Sequence, residues 1–211
     1  MINFGVLIPT HEGQFPTLPE CIQSCKELSP DIILLSQDYS RKVKVPKNIR
    51  KLVTGVIYQE VSGRSKHWIY HQKAGVNVFL DTGIDYVMTI NGDCVITKPE
   101  GFPSLFQKFV DSGCDIMCCS NNRGFSPGLG TLWMLYNLDS MASIVFKMIN
   151  DFNNWIKLSC EARLEDAINR LGYKVFEVEN PEHFDFKPEK NLNKKGTLIT
   201  ELGLVHKHNS V

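Results

Sequence analysis

Apolar residues along the chain fall into short blocks separated by polar runs, and the spacing within each block predicts its element. Residues 3–8 (NFGVLI) form a continuous apolar run of strand length that Pro9 is expected to end. Leu18, Ile22, Cys25 and Leu28 then recur three or four residues apart, the period of one helical face. Ser29-Pro30 and Asp31 introduce a second run, DIILLS, so the chain opens strand–helix–strand. Another helical pattern extends from about Ser65 to Leu80, with Ile69, Val76 and Phe79 toward the core. Asp81-Thr82-Gly83 stops it, and Tyr86–Ile90 (YVMTI) is the next strand.

Beyond that strand, Phe102–Val110 has helical spacing, with Leu105, Phe106 and Phe109 apolar. Asp115–Cys119 predicts a strand, SNNRGFSPGLG a polar loop, and Thr131–Tyr136 another strand. A long helix is expected from about Asp139 to Leu158, carrying Ile144, Val145, Met148, Ile149, Phe152, Trp155 and Ile156. A shorter helix ends at Leu171, with Gly172 as its C-terminal stop, before a strand at Tyr173–Val178. From Pro181 the chain turns polar and loop-rich. No repeat or linker divides it, which predicts one α/β domain over residues 1–180 with a mixed, mostly parallel sheet flanked by helices, and a tail over 181–211.

Composition narrows this picture without changing it. The chain of 211 residues is 43% hydrophobic and 22% charged, an ordinary balance for a globular domain. Its formal net charge is zero, so no long-range field favours polyanions. A basic stretch, RKVKVPKNIRK from Arg41 to Lys51, interrupts that neutrality and is expected to be a solvated loop. The seven cysteines (Cys21, Cys25, Cys94, Cys114, Cys118, Cys119 and Cys160) form no paired CxxC set, which argues against a zinc ribbon and for reduced, buried thiols. The chain begins MINFGVLIP, without a basic leader, and no apolar run approaches the ~20 residues of a bilayer span. A cytoplasmic protein without an integral membrane segment is expected.

The candidate chemistry lies in YVMTINGDCVITKP, residues 86–99, where a buried strand breaks into Asn91-Gly92-Asp93. A turn accounts for the glycine and acid. A metal-phosphate site does too, because open α/β sheets bind ligands at the carboxyl ends of their strands and Mg²⁺ favours carboxylate plus phosphate oxygens. Neither GxGxxG after the first strand nor GxxxxGK[ST] occurs, which argues against dinucleotide and P-loop chemistry.

The segment INGDCVITKPEGFPSLFQKF resembles the metal- and diphosphate-binding segment of nucleotide-sugar glycosyltransferases with the GT-A fold, family 2 in particular. VLIPTHEGQFPTLPECIQSC is similar to their first strand and helix, DIILLSQDYS to their second strand, and RSKHWIYHQKAGVNVFLDTGIDYVMTI to the basic helix entering the motif strand. The resemblance spans roughly residues 4–178, and rests on the order and spacing of these segments. It implies that Thr10 and Asp38 lie near base and ribose, and that Arg64 or Lys66 faces the phosphates. Asn91 and Asp93 match the two acidic positions of the DxD-type motif, with Asn removing one charge. It further implies Mn²⁺ or Mg²⁺ at Asp93, joined by His206 or His208 from the tail. The family's base comes from an acidic pair before a Gly-Tyr strand; Glu165-Asp166 is the literal match in CEARLEDAINRLGYKV, with Glu161 the alternative by spacing.

The implied function is inverting transfer from a nucleoside diphosphate sugar to an acceptor hydroxyl, with a carboxylate as general base. Two alternatives stand beside it: a sugar-1-phosphate nucleotidyltransferase, and a non-catalytic nucleotide-binding domain. THEGQFP lacks the glycine-rich, arginine-containing loop that the former carries after its first strand. Ser120–Gly130, Trp133 and Pro181–Lys195 are expected to wall the acceptor, which is open among a saccharide, a small molecule, a protein and a modified nucleic-acid base.

Overall fold

The computed structural model describes residues 3–60, 67–121, 128–150, 160–178, 196–199 and 202–207. The opening unit is β1 (Phe4–Thr10), α1 (Leu18–Lys26) and β2 (Ile32–Asp38), followed by a short α2 (Lys47–Arg50) and β3 (Gly55–Gln59). Then come α3 (His67–Phe79), β4 (Tyr86–Ile90), β5 (Cys94–Ile96) and α4 (Phe102–Ser112). β6 (Ile116–Asn121), β7 (Gly128–Asn137), α5 (Leu138–Asn150), α6 (Cys160–Leu171) and β8 (Val175–Val178) complete the central layer, and β9 (Gly196–Ile199) and β10 (Leu204–His206) follow.

Seven strands form the central sheet in the order β3-β2-β1-β4-β7-β6-β8. β1, β2, β3 and β4 run parallel, β7 runs antiparallel to both its neighbours, and β8 is parallel to β6. The chain builds outward from β1 to β3 and then returns to place β4 on the other side of β1. That reversal is a topological switch point at the carboxyl ends of β1 and β4, the place where α/β sheets take ligands. One face of the sheet (Val6, Ile8, Leu35, Met88) packs under α1 and α4; the other (Leu7, Leu34, Val87, Met134) packs under α3, α5 and α6. The result is a GT-A-like α/β domain, as the periodicity and the resemblance imply.

The differences from expectation have local causes. Pro9 does not end β1, which continues to Thr10. Pairing with β4 stops at Leu7 opposite Thr89, so no ladder partner on that side needs the missing N–H. The stretch Arg41–Lys51 is not a simple loop: it contains α2, held down by Val45 and Ile49, both buried. The tail is not merely loop: β10 pairs antiparallel with β5 and with β9, forming a separate three-stranded sheet. Leu202 and Leu204 are wholly buried in the α1–α4 core. α6 ends as expected at Gly172, which takes φ +73°, the left-handed conformation of a helix stop. The expected continuation of α5 through Phe152, Trp155 and Ile156 lies outside the described residues.

Candidate active site

The Asn91-Gly92-Asp93 turn is fastened from three directions. Gly92 N donates to Pro9 O at 3.2 Å, tying the turn to the end of β1, and Cys94 N donates to Asn91 O at 2.9 Å, closing it. Thr17 Oγ1 lies 3.2 Å from Gly92 O, and Cys21 Sγ 3.6 Å from Asn91 O, both from the start of α1. On the far side, Lys207 N donates to Asp93 O at 2.7 Å, an extension of the β10–β5 ladder that sets His206 opposite Cys94. Lys207 Nζ pairs with Glu20 of α1, which draws the tail across the same edge. Hydrogen bonding with Cys25, then burial, pushes the Cys21 thiol well above its ordinary pKa, so it sits protonated beneath the turn.

Gly92 is buried, and its missing side chain is already occupied space. A Cβ there would stand 2.9 Å from Thr10 Oγ1, 3.1 Å from Leu18 Cδ1 and 3.3 Å from Gln14 Oε1. The loop after β1 supplies these neighbours in a fixed shape. His11 Nδ1 accepts from Gly13 N at 3.1 Å while Gln14 Oε1 accepts from His11 N at 3.3 Å, a reciprocal cap on the 3₁₀ turn Glu12–Gln14. The glycine therefore permits close approach of two loops, rather than leaving room for a diphosphate at that atom.

On the opposite face of the sheet, a buried polar network underlies the same edge. Tyr136 OH donates to Gln72 Oε1 at 2.7 Å, and Thr89 Oγ1 lies 3.2 Å from that oxygen and 2.9 Å from the phenol. Burial pushes the Tyr136 phenol well above its ordinary pKa. Ser36 Oγ and His71 Nδ1 form a second buried pair at 2.7 Å. Four buried polar atoms have no hydrogen-bond partner among the described residues near this edge: Gln37 Oε1, Trp68 Nε1, Gln72 Nε2 and Trp133 Nε1. Gln37 stands opposite Thr10 on the strand ladder, and Trp133 opposite Ile90, the last residue of β4. Trp68 and Gln72 come from the first turns of α3, Gln72 reaching Thr89.

Thr10, Asp38, Asn91 and Asp93 thus come together at or just beyond the carboxyl ends of the adjacent strands β1, β2 and β4. Thr10 is buried against Gly92, and Asp38 Oδ1 accepts from Ser40 N at 2.9 Å in a local turn. His206 is placed by its backbone alone, and Arg64, Lys66 and His208 lie outside the described residues. Glu161 falls in the first turn of α6, again by backbone alone. Glu165 and Asp166 lie mid-helix and exposed, and Asp166 binds Arg170 Nε at 2.9 Å one turn on. Trp133, expected at an acceptor wall, is 1% exposed and belongs to the core under α1 and α4. Among the described residues, no three His, Cys, Asp or Glu side chains converge as a metal cluster. Sequence reasoning missed the His11–Thr17 lock, the Gln72–Thr89–Tyr136 network and Lys207.

No family model and no curated protein matches the chain. Among solved structures, the chain is similar to a 4-diphosphocytidyl-2C-methyl-D-erythritol synthase from Anaerococcus prevotii, with TM-score 0.52 and 13% identity over 84% of this chain and 90% of that one. At that identity the likeness establishes the fold. Among the described residues, no helix is long and apolar enough to cross a membrane.

Proposed function

We propose that the chain is a transferase acting on a nucleoside phosphate held at the carboxyl edge between β1 and β4. The observation that carries this reading is the placement of Thr10, Asp38, Asn91 and Asp93 at or just beyond the carboxyl ends of the adjacent strands β1, β2 and β4, where the strand order reverses. Trp68 and Gln72 lie in the first turns of α3, whose N-terminal dipole favours phosphate.

Two group transfers fit this edge. The solved neighbour is named for making a diphosphocytidyl compound, and that supports nucleotidyl transfer. In such a reaction a sugar or polyol phosphate attacks the α-phosphorus of a nucleoside triphosphate and pyrophosphate leaves. This reading gains more from the comparison than glycosyl transfer does, although His11–Gln14 replaces a glycine-rich, arginine-containing loop.

Glycosyl transfer from a nucleoside diphosphate sugar is favoured by a different observation, the tail strand laid beside Asp93 through Lys207 N. The residues fit an oxygen-seeking ion in part: Asp93 supplies one carboxylate, and Mg²⁺ or Mn²⁺ commonly adds substrate phosphates to so small a set. Bound there with Asp93 and His206 or His208, such an ion would offset charge on the leaving diphosphate. Thr10 and Asp38 would flank the nucleoside, Arg64 or Lys66 the phosphates. Among Glu161, Glu165 and Asp166, Glu161 starts its helix at the carboxyl edge and suits the base best; Asp166 is committed to Arg170.

One experiment separates the readings. The protein is given nucleoside triphosphates with sugar phosphates, or nucleoside diphosphate sugars with and without acceptors, each in Mg²⁺ and Mn²⁺. Pyrophosphate release supports nucleotidyl transfer, and nucleoside diphosphate release supports glycosyl transfer. Absence of both products, together with no calorimetric binding of any nucleotide, sinks the proposal.

A further inference from the structure

The basic crossover between β2 and β3 has no task in nucleotide chemistry. No Asp or Glu lies between Asp38 and Glu60, whereas Arg41, Lys42, Lys44, Lys47, Arg50 and Lys51 all do; the rest of this neutral chain carries the balancing negative charge. The crossover starts at the carboxyl edge, where Tyr39 N donates to Gln59 O at 2.7 Å. It ends at the opposite edge, where Thr54 N donates to Ile33 O at 2.9 Å. Val45 and Ile49 are buried, four residues apart, and turn the cations outward. Arg41 pairs with Glu12 and Lys42 with Glu60. Lys44, Lys47, Arg50 and Lys51 are exposed, with no ion pair among the described residues.

Arg50 and Lys51 stand three and four residues after Lys47, so each neighbours Lys47 on the helical surface and is repelled by it by a few tenths of a kcal/mol. A fold that holds like charges in a row is relieved by a row of opposite charges. At the far end Lys26 joins Lys51 beside a cavity of about 270 Å³, lined also by Ser29, Thr54 and an apolar floor of Ile33 and Leu52. At the near end Tyr39 and Tyr58 meet edge-on with centroids 5.2 Å apart, and Tyr58 is exposed.

We infer that this crossover is a binding track for a nucleic-acid strand, with phosphates along Lys44, Lys47, Arg50 and Lys51 and an unpaired base on Tyr58. A lipid surface fits less well, because interfacial binding needs a broad apolar face beside the cations, whereas Val43 is the one exposed aliphatic side chain among them and Val45 and Ile49 point into the core. A strand offers both the spaced phosphates and the π-faces that a tyrosine platform accepts. The inference stands apart from the transferase reading, since binding here requires no nucleotide substrate.

Anisotropy of a labelled oligothymidylate, measured on the full chain without nucleotide, tests it. Four phosphate contacts predict a log–log salt slope of about −2.8, hence about a fifty-fold loss of affinity between about 50 and 200 mM salt. The variant K44Q/K47Q/K51Q is expected to bring the slope to about −0.7, and Tyr58→Ala to weaken binding about tenfold. K98Q/K108Q/K174Q, which removes as many exposed lysines elsewhere, is expected to leave slope and affinity unchanged. Equal losses in the two triple variants overturn the track. So do absence of oligothymidylate binding, equal competition by polyglutamate, and binding to phosphatidylserine vesicles in place of the oligonucleotide.

Discussion

Gly92→Ala tests whether the strand-tip turn is built by close approach. The new methyl would stand 2.9 Å from Thr10 Oγ1, 3.1 Å from Leu18 Cδ1 and 3.3 Å from Gln14 Oε1. Comfortable carbon contacts lie at ~3.5–4.0 Å, so each neighbour must withdraw by several tenths of an ångström. None has open space: Thr10 is 3% exposed, Leu18 0% and Gln14 8%. Overpacking of this kind costs about 1–3 kcal/mol. For a chain of this length that lowers Tm by about 2–12 °C at roughly 2–4 °C per kcal/mol. Thermal unfolding by circular dichroism reads the shift. Thr10→Ala removes the nearest contact, so the T10A/G92A pair is expected to couple favourably by at least about 0.5 kcal/mol. If Gly92→Ala stays within about 0.5 kcal/mol of wild type, the turn tolerates a side chain and the account of its packing is wrong.

Other perturbations probe the remaining links. Asp93→Asn should weaken nucleotide binding measured by calorimetry in Mn²⁺; unchanged metal-dependent binding would leave Asp93 only a turn residue. If the base belongs to α6, Glu161→Gln should cut transfer by about 10²- to 10⁴-fold with donor affinity intact, and Asp166→Asn only a few-fold; the reverse order would return the role to Asp166. Tyr136 gives a pH signature. Its unfolded phenol ionises near pH ~10 and its buried one higher, so the folded state keeps a proton the unfolded state loses. That contribution is whole below about pH 10 and falls by up to ~1.4 kcal/mol per pH unit as the pH rises above it. Urea midpoints at about pH 9 and pH 11 should therefore converge more in Tyr136→Phe than in wild type; an identical pH dependence removes Tyr136 as the cause. Deleting residues 204–211 should lower the melting temperature, since Leu204 is wholly buried; an unchanged melting temperature would remove β10 from the fold's support.

Local pattern carries the buried centre of this fold and little of its rim. Tyr86–Ile90 is legible to the residue because an unbroken apolar run between turn signals leaves one reading. β3 escapes notice because GVIYQ is a short edge strand, mostly half-buried, without a clean alternation. β10 has only three residues, and its partner β5 lies more than a hundred positions earlier, so neither advertises the other. Trp133 shows the limit on site residues: β7 is buried on both faces over Trp133–Tyr136, and nothing local distinguishes a core tryptophan from one lining a crevice.

Gly92 is the most instructive position, because the sequence points to it and hides its reason. Its role is steric and depends on Thr10, Gln14 and Leu18, all brought in by the loop and helix after β1. Around it, segments far apart in sequence fasten one turn largely through main-chain atoms: Gly92 N to Pro9 O, Cys94 N to Asn91 O, and Lys207 N to Asp93 O. Thr17 Oγ1 adds the one hydroxyl, against Gly92 O. Such fastening rests chiefly on the backbone of positions 91–94. The side chains of Asn91 and Asp93 are therefore carried at the sheet edge by a turn whose main chain is tied to β1, α1 and the tail. A turn tied in this way from three directions has its main-chain geometry set by the fold, and that is the preorganisation a binding site at this edge would require.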